Sequence, residues 1–158
     1  MEPIVVLITG FVALVVVGRD RWSWIVSLRI ALAAMFLLTG VAHFGPGPLE
    51  GLRADMIRMV PPVFPRPDVI VTLTGIAEVA GAIALLVPRT ARLAAACLTV
   101  LMLAMFPANV YAALNGIHFD GAAPEPLWIR TLEELVFLAA GVGSALDPSV
   151  RKAEARAA

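Results

Sequence analysis

Residues 72–88 read TLTGIAEVAGAIALLVP, an apolar run with one carboxylate, Glu78, near its middle. With the residues just before it, the run approaches the ~20 residues needed to cross about 30 Å of hydrocarbon. An acid at mid-span must pair or be neutralised, because it is too deep to reach the headgroups. The neighbours three and four residues away are Thr74, Gly75, Gly81 and Ala82. Small side chains on one face let a second helix approach closely. The pattern therefore predicts a membrane helix that turns Glu78 toward protein.

The rest of the chain agrees. Of 158 residues, 60 % are hydrophobic and 15 % charged, with zero formal net charge. Soluble domains carry about 25 % charged residues, so the composition is that of a small polytopic membrane protein whose first partner is the lipid bilayer. Lys152 is the sole lysine, and no basic stripe points to nucleic acid. Cys97 is the sole cysteine, which excludes an intramolecular disulfide and dithiol redox chemistry. It reads as an apolar filler in a helix.

Five apolar stretches read as spans: Pro3 to Gly18, Trp24 to Phe44, Val69 to Val87, Ala91 to Leu114 and Leu127 to Leu146. The first is short and reads as a retained anchor, because Glu2 precedes it and no small-residue cleavage site follows. The fifth carries Arg130, Glu133 and Glu134 in its first turns. Arg19, Arg21, Arg89, Arg92, Arg151, Lys152 and Arg156 fall on one side, against Arg53, Arg58 and Arg66 on the other. That bias puts the N-terminus outside and the C-terminus in the cytoplasm of a cell-membrane protein.

The expected fold class is all-α: a four-helix transmembrane bundle plus an additional N-terminal transmembrane helix. Residues 1–23 form the anchor and a short cytoplasmic turn, 24–146 the membrane domain, and 147–158 a polar cytoplasmic tail. Within the long outer loop, 45–68, Leu49, Leu52, Met56, Met59 and Val60 recur at helical spacing opposite Glu50, Asp55 and Arg58. This predicts an amphipathic helix in the outer interface, followed by an extended proline-rich segment. The other outer loop, NGIHFDGAAPEP, opens on a turn dipeptide and otherwise reads as irregular.

Depth sorts the polar residues. Arg29 lies about one turn inside its span and is expected to snorkel to the headgroups. His43 ends the second span on a face with Thr39 and Gly40, and Asn109 follows Pro107, which frees the Leu103 carbonyl. Arg130 and Glu134 are an i,i+4 pair, and Arg130 is the expected counter-ion of Glu78. His43, Glu78, Asn109, Arg130 and Glu134 are thus expected to converge in the outer half of the bundle. Two readings stay open: a pocket that handles a ligand or proton, and an ion-pair cluster that sets helix register. No metal site is expected, since His43, His118 and Asp120 show no ligand spacing. No nucleophile–base arrangement and no phosphate loop is present.

The segments RIALAAMFLLTGVAHF (29–44), MVPPVFPRPDVIVTLTGIAEVAGAIALLVPRTAR (59–92) and LTVLMLAMFPANVYAA (98–113) resemble the DoxX-like family of small membrane proteins. The resemblance covers about residues 24 to 146 and singles out Arg29, His43, Pro62, Glu78, Gly81, Pro107 and Asn109. Where many relatives read R-L-P-L-Q, this chain reads Arg130-Thr131-Leu132-Glu133-Glu134, so a charge replaces an amide. The first span is additional to the family's four-helix core. The resemblance implies an accessory or ligand-binding subunit, not catalytic alone, that binds a quinone, a lipid or a redox partner protein. No cofactor is required by the sequence, and a bound quinone is the one the resemblance suggests. A quinone-dependent membrane oxidoreductase and a small homo-oligomeric transporter or proton pathway are the alternatives.

Overall fold

The computed structural model describes residues 3–19, 21–45 and 47–146. Among them are six α-helices and no strand: α1 (Pro3–Val17), α2 (Trp24–Ala42), α3 (Glu50–Met59), α4 (Pro67–Leu86), α5 (Ala91–Asn115) and α6 (Leu127–Ala145). Each stretch read as a span is helical. Three of them, α2, α4 and α5, are long and apolar enough to cross a membrane. The 15 residues of α1 rise only about 22 Å. In α6 the three charged side chains interrupt the apolar run. The tail expected over 147–158 lies outside the described residues.

The surface is more apolar than that of a water-soluble domain, and several charged side chains are buried. Leu73, Ile76, Ile83, Leu93, Val100 and Leu103 are exposed on the helix surfaces, while Arg29, His43, Glu78, Glu133 and Glu134 are buried. An apolar rim around a partly polar interior suits a hydrocarbon solvent, where polar groups must find partners inside the protein.

The helices pack in chain order: α1 on α2, α2 on α4, α4 on α5 and α5 on α6, with a lighter contact between α6 and α2. Glycines set two of these seams. A Cβ on Gly40 would come within 2.8 Å of Val79, and one on Gly75 would strike the His43 side chain, so α2 and α4 approach backbone to backbone. A Cβ on Gly81 would come within 2.6 Å of Leu98, which draws α4 onto α5 in the same way. The apolar core comprises Leu32, Phe36, Ala82, Leu85, Ala95 and Leu98, among others. It sits between Glu78 and the end of the molecule that carries residues 21–23 and 87–90, called here the basic end.

Opposite is the α3 end. There α3 packs on α2, α4 and α5 and turns Leu52, Asp55, Met56 and Met59 inward. Asp55, expected on the polar face, is therefore buried. One oxygen accepts from Arg58 and the other from the Asp120 backbone N–H at 2.8 Å. The loop that holds Asp120 is also more ordered than its composition suggested. Phe119 and Ala122 exchange backbone hydrogen bonds at 3.0 and 3.1 Å across Asp120 (φ 52°) and Gly121 (φ 75°). Two successive positive φ values make a type I′ turn, for which Asp-Gly is a preferred pair.

At the basic end, Arg29 corrects the expectation that it reaches the headgroups. It is 7 % exposed and Nη2 donates to the Ser144 carbonyl at 2.8 Å. Arg92 Nε donates to the Ala145 carbonyl at 3.0 Å. The last carbonyls of a helix have no intrahelical donor, and α6 has no basic residue in its own last turn. Two arginines from neighbouring helices supply what α6 lacks, in the position that also suits its dipole.

Candidate functional site

The α2–α4 seam brings His43 and Glu78 together. His43 Nε2 lies 3.6 Å from Glu78 Oε1, and both residues are buried. Thr39, one turn before His43 on α2, donates from Oγ1 to Glu78 Oε2 at 2.7 Å. Thr74, one turn before Glu78 on α4, places Oγ1 3.1 Å from His43 Nδ1. Each helix thus contributes a threonine and, four residues on, an ionisable group, and the antiparallel pairing makes each threonine the neighbour of the other helix's ionisable side chain. His43 Nδ1 also lies 2.8 Å from the Val71 carbonyl. A carbonyl only accepts, so Nδ1 carries a proton and donates. The tautomer follows from that contact.

Arg53 closes the seam at the α3 end. Its Nη1 donates to the His43 carbonyl, one of the acceptors at the end of α2, and its Nη2 donates to Thr72 Oγ1 at 3.0 Å. The helical spacing of α3 placed Arg53 on neither the apolar nor the polar face, so its reach into the seam was not legible in the sequence.

Arg130 is elsewhere. It is held at 3.3 Å by Glu125 and at 3.3 Å by Glu133, not by Glu78 or Glu134. Glu133 lies one turn on at i+3, and Glu125 precedes α6 in the loop, so both reach the guanidinium from its own end of the helix. Glu78 is satisfied on α2 instead. Arg130 and Glu125 line a recess with Asn109, Met59, Phe119 and Ala112. Asn109 is half-buried there, and its side-chain amide makes no hydrogen bond among the described residues. Glu134 is buried in α6, and its Oε1 has no hydrogen-bond partner among the described residues. The five expected residues therefore fall into three places: His43 with Glu78, Asn109 with Arg130 at the recess, and Glu134 buried in α6 within the field of Arg130 but not in direct contact with it.

No group of His, Cys, Asp and Glu that could hold a metal occurs among the described residues. Chemically, the seam can hold a proton, whereas the recess offers an amide, a guanidinium, the Glu125 carboxylate and an apolar wall.

Residues 32–143 match the family described as a domain of unknown function, DUF8561. The chain belongs to the DUF8561 family. The match spans α2 from Leu32 through most of α6, and so includes the seam and the recess but not α1. No curated protein and no solved structure matches the chain.

Proposed function

We propose that this DUF8561 protein is a DoxX-like integral protein of the cell membrane, an accessory or ligand-binding subunit whose site lies in the recess at the α3 end. In this reading α2, α4, α5 and α6 form a four-helix transmembrane bundle, α1 is an additional helix on its side, and the α3 end faces outward. The basic end then faces the cytoplasm, as the arginine bias favours.

The observation that carries the proposal is the chemistry of the recess. Asn109 presents an amide with no hydrogen-bond partner among the described residues, and Arg130 a guanidinium that Glu125 meets at Nε and Glu133 at Nη1. Met59, Phe119 and Ala112 supply the apolar wall. A few placed polar groups in an apolar concavity are what a small-molecule site needs. A quinone headgroup suits these donors, because its carbonyls accept from the amide and guanidinium while its ring meets the apolar side chains. The recess itself has room for a single water, about 20 Å³, so the headgroup enters only as the lining side chains, Glu125 among them, move apart. A lipid carbonyl or phosphate presents the same acceptors.

The test is extraction of the protein purified from membranes, followed by mass spectrometry for isoprenoid quinones and lipids. Retention of one species per chain is expected, with at least a tenfold loss in Asn109→Leu and in Arg130→Ala. Equal retention in both variants removes the recess as the site. Turnover of an added quinone by the isolated chain would replace the subunit reading with an oxidoreductase.

A further inference from the structure

His43 and Glu78 make no contact with the recess. With Nδ1 committed to the Val71 carbonyl, His43 presents Nε2 to Glu78 Oε1. If both facing atoms were bare, a lone pair would oppose a carboxylate oxygen across 3.6 Å in a site closed to water. That arrangement is repulsive and has no solvent to relieve it. One proton between the two removes the conflict, either as an imidazolium beside a carboxylate or as a neutral imidazole beside a carboxylic acid. Both forms leave the pair with no net charge, which a buried membrane site requires. Transfer between them breaks the Nε2–H bond and forms an Oε1–H bond, and the pair's charge is unchanged. A gap of 3.6 Å is an ion-pair distance, and transfer needs it to close to about 3 Å or to admit one water.

The surroundings of the pair are unequal. Toward the basic end the route is blocked by Leu32, Phe36, Ala82, Leu85, Ala95 and Leu98. Toward the α3 end the pair is followed by Thr74, Arg53 and Thr72, all polar and hydrogen-bonded. His43 is the last step before that polar path, since it caps α2. Among the elements packed around it, α1 carries no ionisable side chain, and α5 carries none between Cys97 and Tyr111. α3 contributes Arg53, with Glu50, Asp55 and Arg58 further along it; α6 contributes Arg130, Glu133 and Glu134. By register, Gly81 and Gly141 both meet consecutive residues of α5, Leu98 and Thr99. Glu134 therefore sits about 7–8 Å nearer the α3 end than Glu78, at about 1.5 Å per residue.

We infer that His43 and Glu78 form a single proton-binding site across the α2–α4 seam, one that exchanges its proton with the α3 side alone. His43 is the carrier nearer water and Glu78 the terminal acceptor. This goes beyond ligand binding in the recess and does not depend on it.

The count is tested on the full chain with His118→Asn, which leaves His43 as its one imidazole, labelled with ¹⁵N-histidine and ¹³C-glutamate in lipid nanodiscs. Nitrogen shifts report the proton on each ring atom, and infrared reports protonated glutamate. At neutral pH the expected result is a protonated Nδ1 and one further proton over Nε2 and the Glu78 carboxyl. Glu78→Gln removes that proton, because its amide donates to a bare Nε2; Glu134→Gln leaves it in place. A bare Nδ1, or zero or two protons on the facing atoms, overturns the proposal using the native glutamate alone, so it survives no folding failure of the Gln variant.

Sidedness is tested in vesicles sorted by a C-terminal affinity tag. A pH step in the outer solution shifts the His43 signal in vesicles with the α3 end outward and not in the opposite set. A shift in both sets, or only in the second, overturns one-sided access.

Discussion

The α2–α4 seam and the recess beside α6 use the same kinds of residue and arrive at opposite designs. In the seam, each polar side chain meets a partner on the other helix, and glycines bring the backbones close enough to shut water out. In the recess, Arg130 is held by Glu125 and Glu133, a quarter of its side chain stays exposed, and Asn109 has no hydrogen-bond partner among the described residues. The lesson is that partner placement, not polarity, separates a closed polar site from an open one. Substitutions in the seam should therefore cost folding, and those at the α3-end surface should be tolerated.

The seam should break most readily at its glycines. In Gly75→Ala the new methyl meets the His43 side chain and lies 3.1 Å from the Gly40 carbonyl. Neither can move without parting α2 from α4, and overpacking of this kind costs about 1–3 kcal/mol. Denaturant unfolding in micelles should show a loss at the upper end of that range. An unchanged midpoint would mean the seam is looser than its geometry indicates. Thr39→Val comes next. It removes the hydroxyl that donates to Glu78 Oε2 and leaves a buried acceptor one bond short, at a cost of about 1–3 kcal/mol. The same variant should move the infrared signature of the Glu78 carboxyl, which a purely steric effect would not do.

Much of this was legible beforehand, for identifiable reasons. Glu78 faces protein, as the small side chains of Gly75, Gly81 and Ala82 required, and the helices fall where apolar length placed them. Thr39 and Thr74 were visible as the i−4 neighbours of His43 and Glu78, but that each serves the opposite helix depends on antiparallel register, which periodicity within one helix does not contain. Depth along the chain pairs Arg130 with Glu78, because the sequence carries no lateral coordinate to separate them. Glu125, in a loop with no periodicity, gave no signal. The place of Arg29 is not legible by counting turns, which measures distance to the headgroups and not the pull of uncapped carbonyls on a helix 115 residues away in sequence. The Asp-Gly pair at 120–121 was a readable turn signal that composition alone passed over.

The α3 end should respond less, and unevenly. Asp55→Ala loses both the Arg58 contact and the hydrogen bond from the Asp120 N–H. With Asp55 buried, that leaves a backbone donor unpaired, at a cost of about 1–2 kcal/mol. Faster amide hydrogen exchange is expected at residue 120 and not in α4.

Arg58→Ala should have the smallest effect, although it breaks the same ion pair. The Arg58 side chain is 63 % exposed against 11 % for Asp55. Exposed pairs of this kind contribute less than about 1 kcal/mol, and Asp55 keeps its hydrogen bond from residue 120. The unfolding midpoint should stay close to that of the unsubstituted chain, and exchange at residue 120 should remain slow. If Arg58→Ala instead frees the turn as fully as Asp55→Ala does, the arginine positions the carboxylate. The α3 end would then depend on cross-element partnering in the way the seam does.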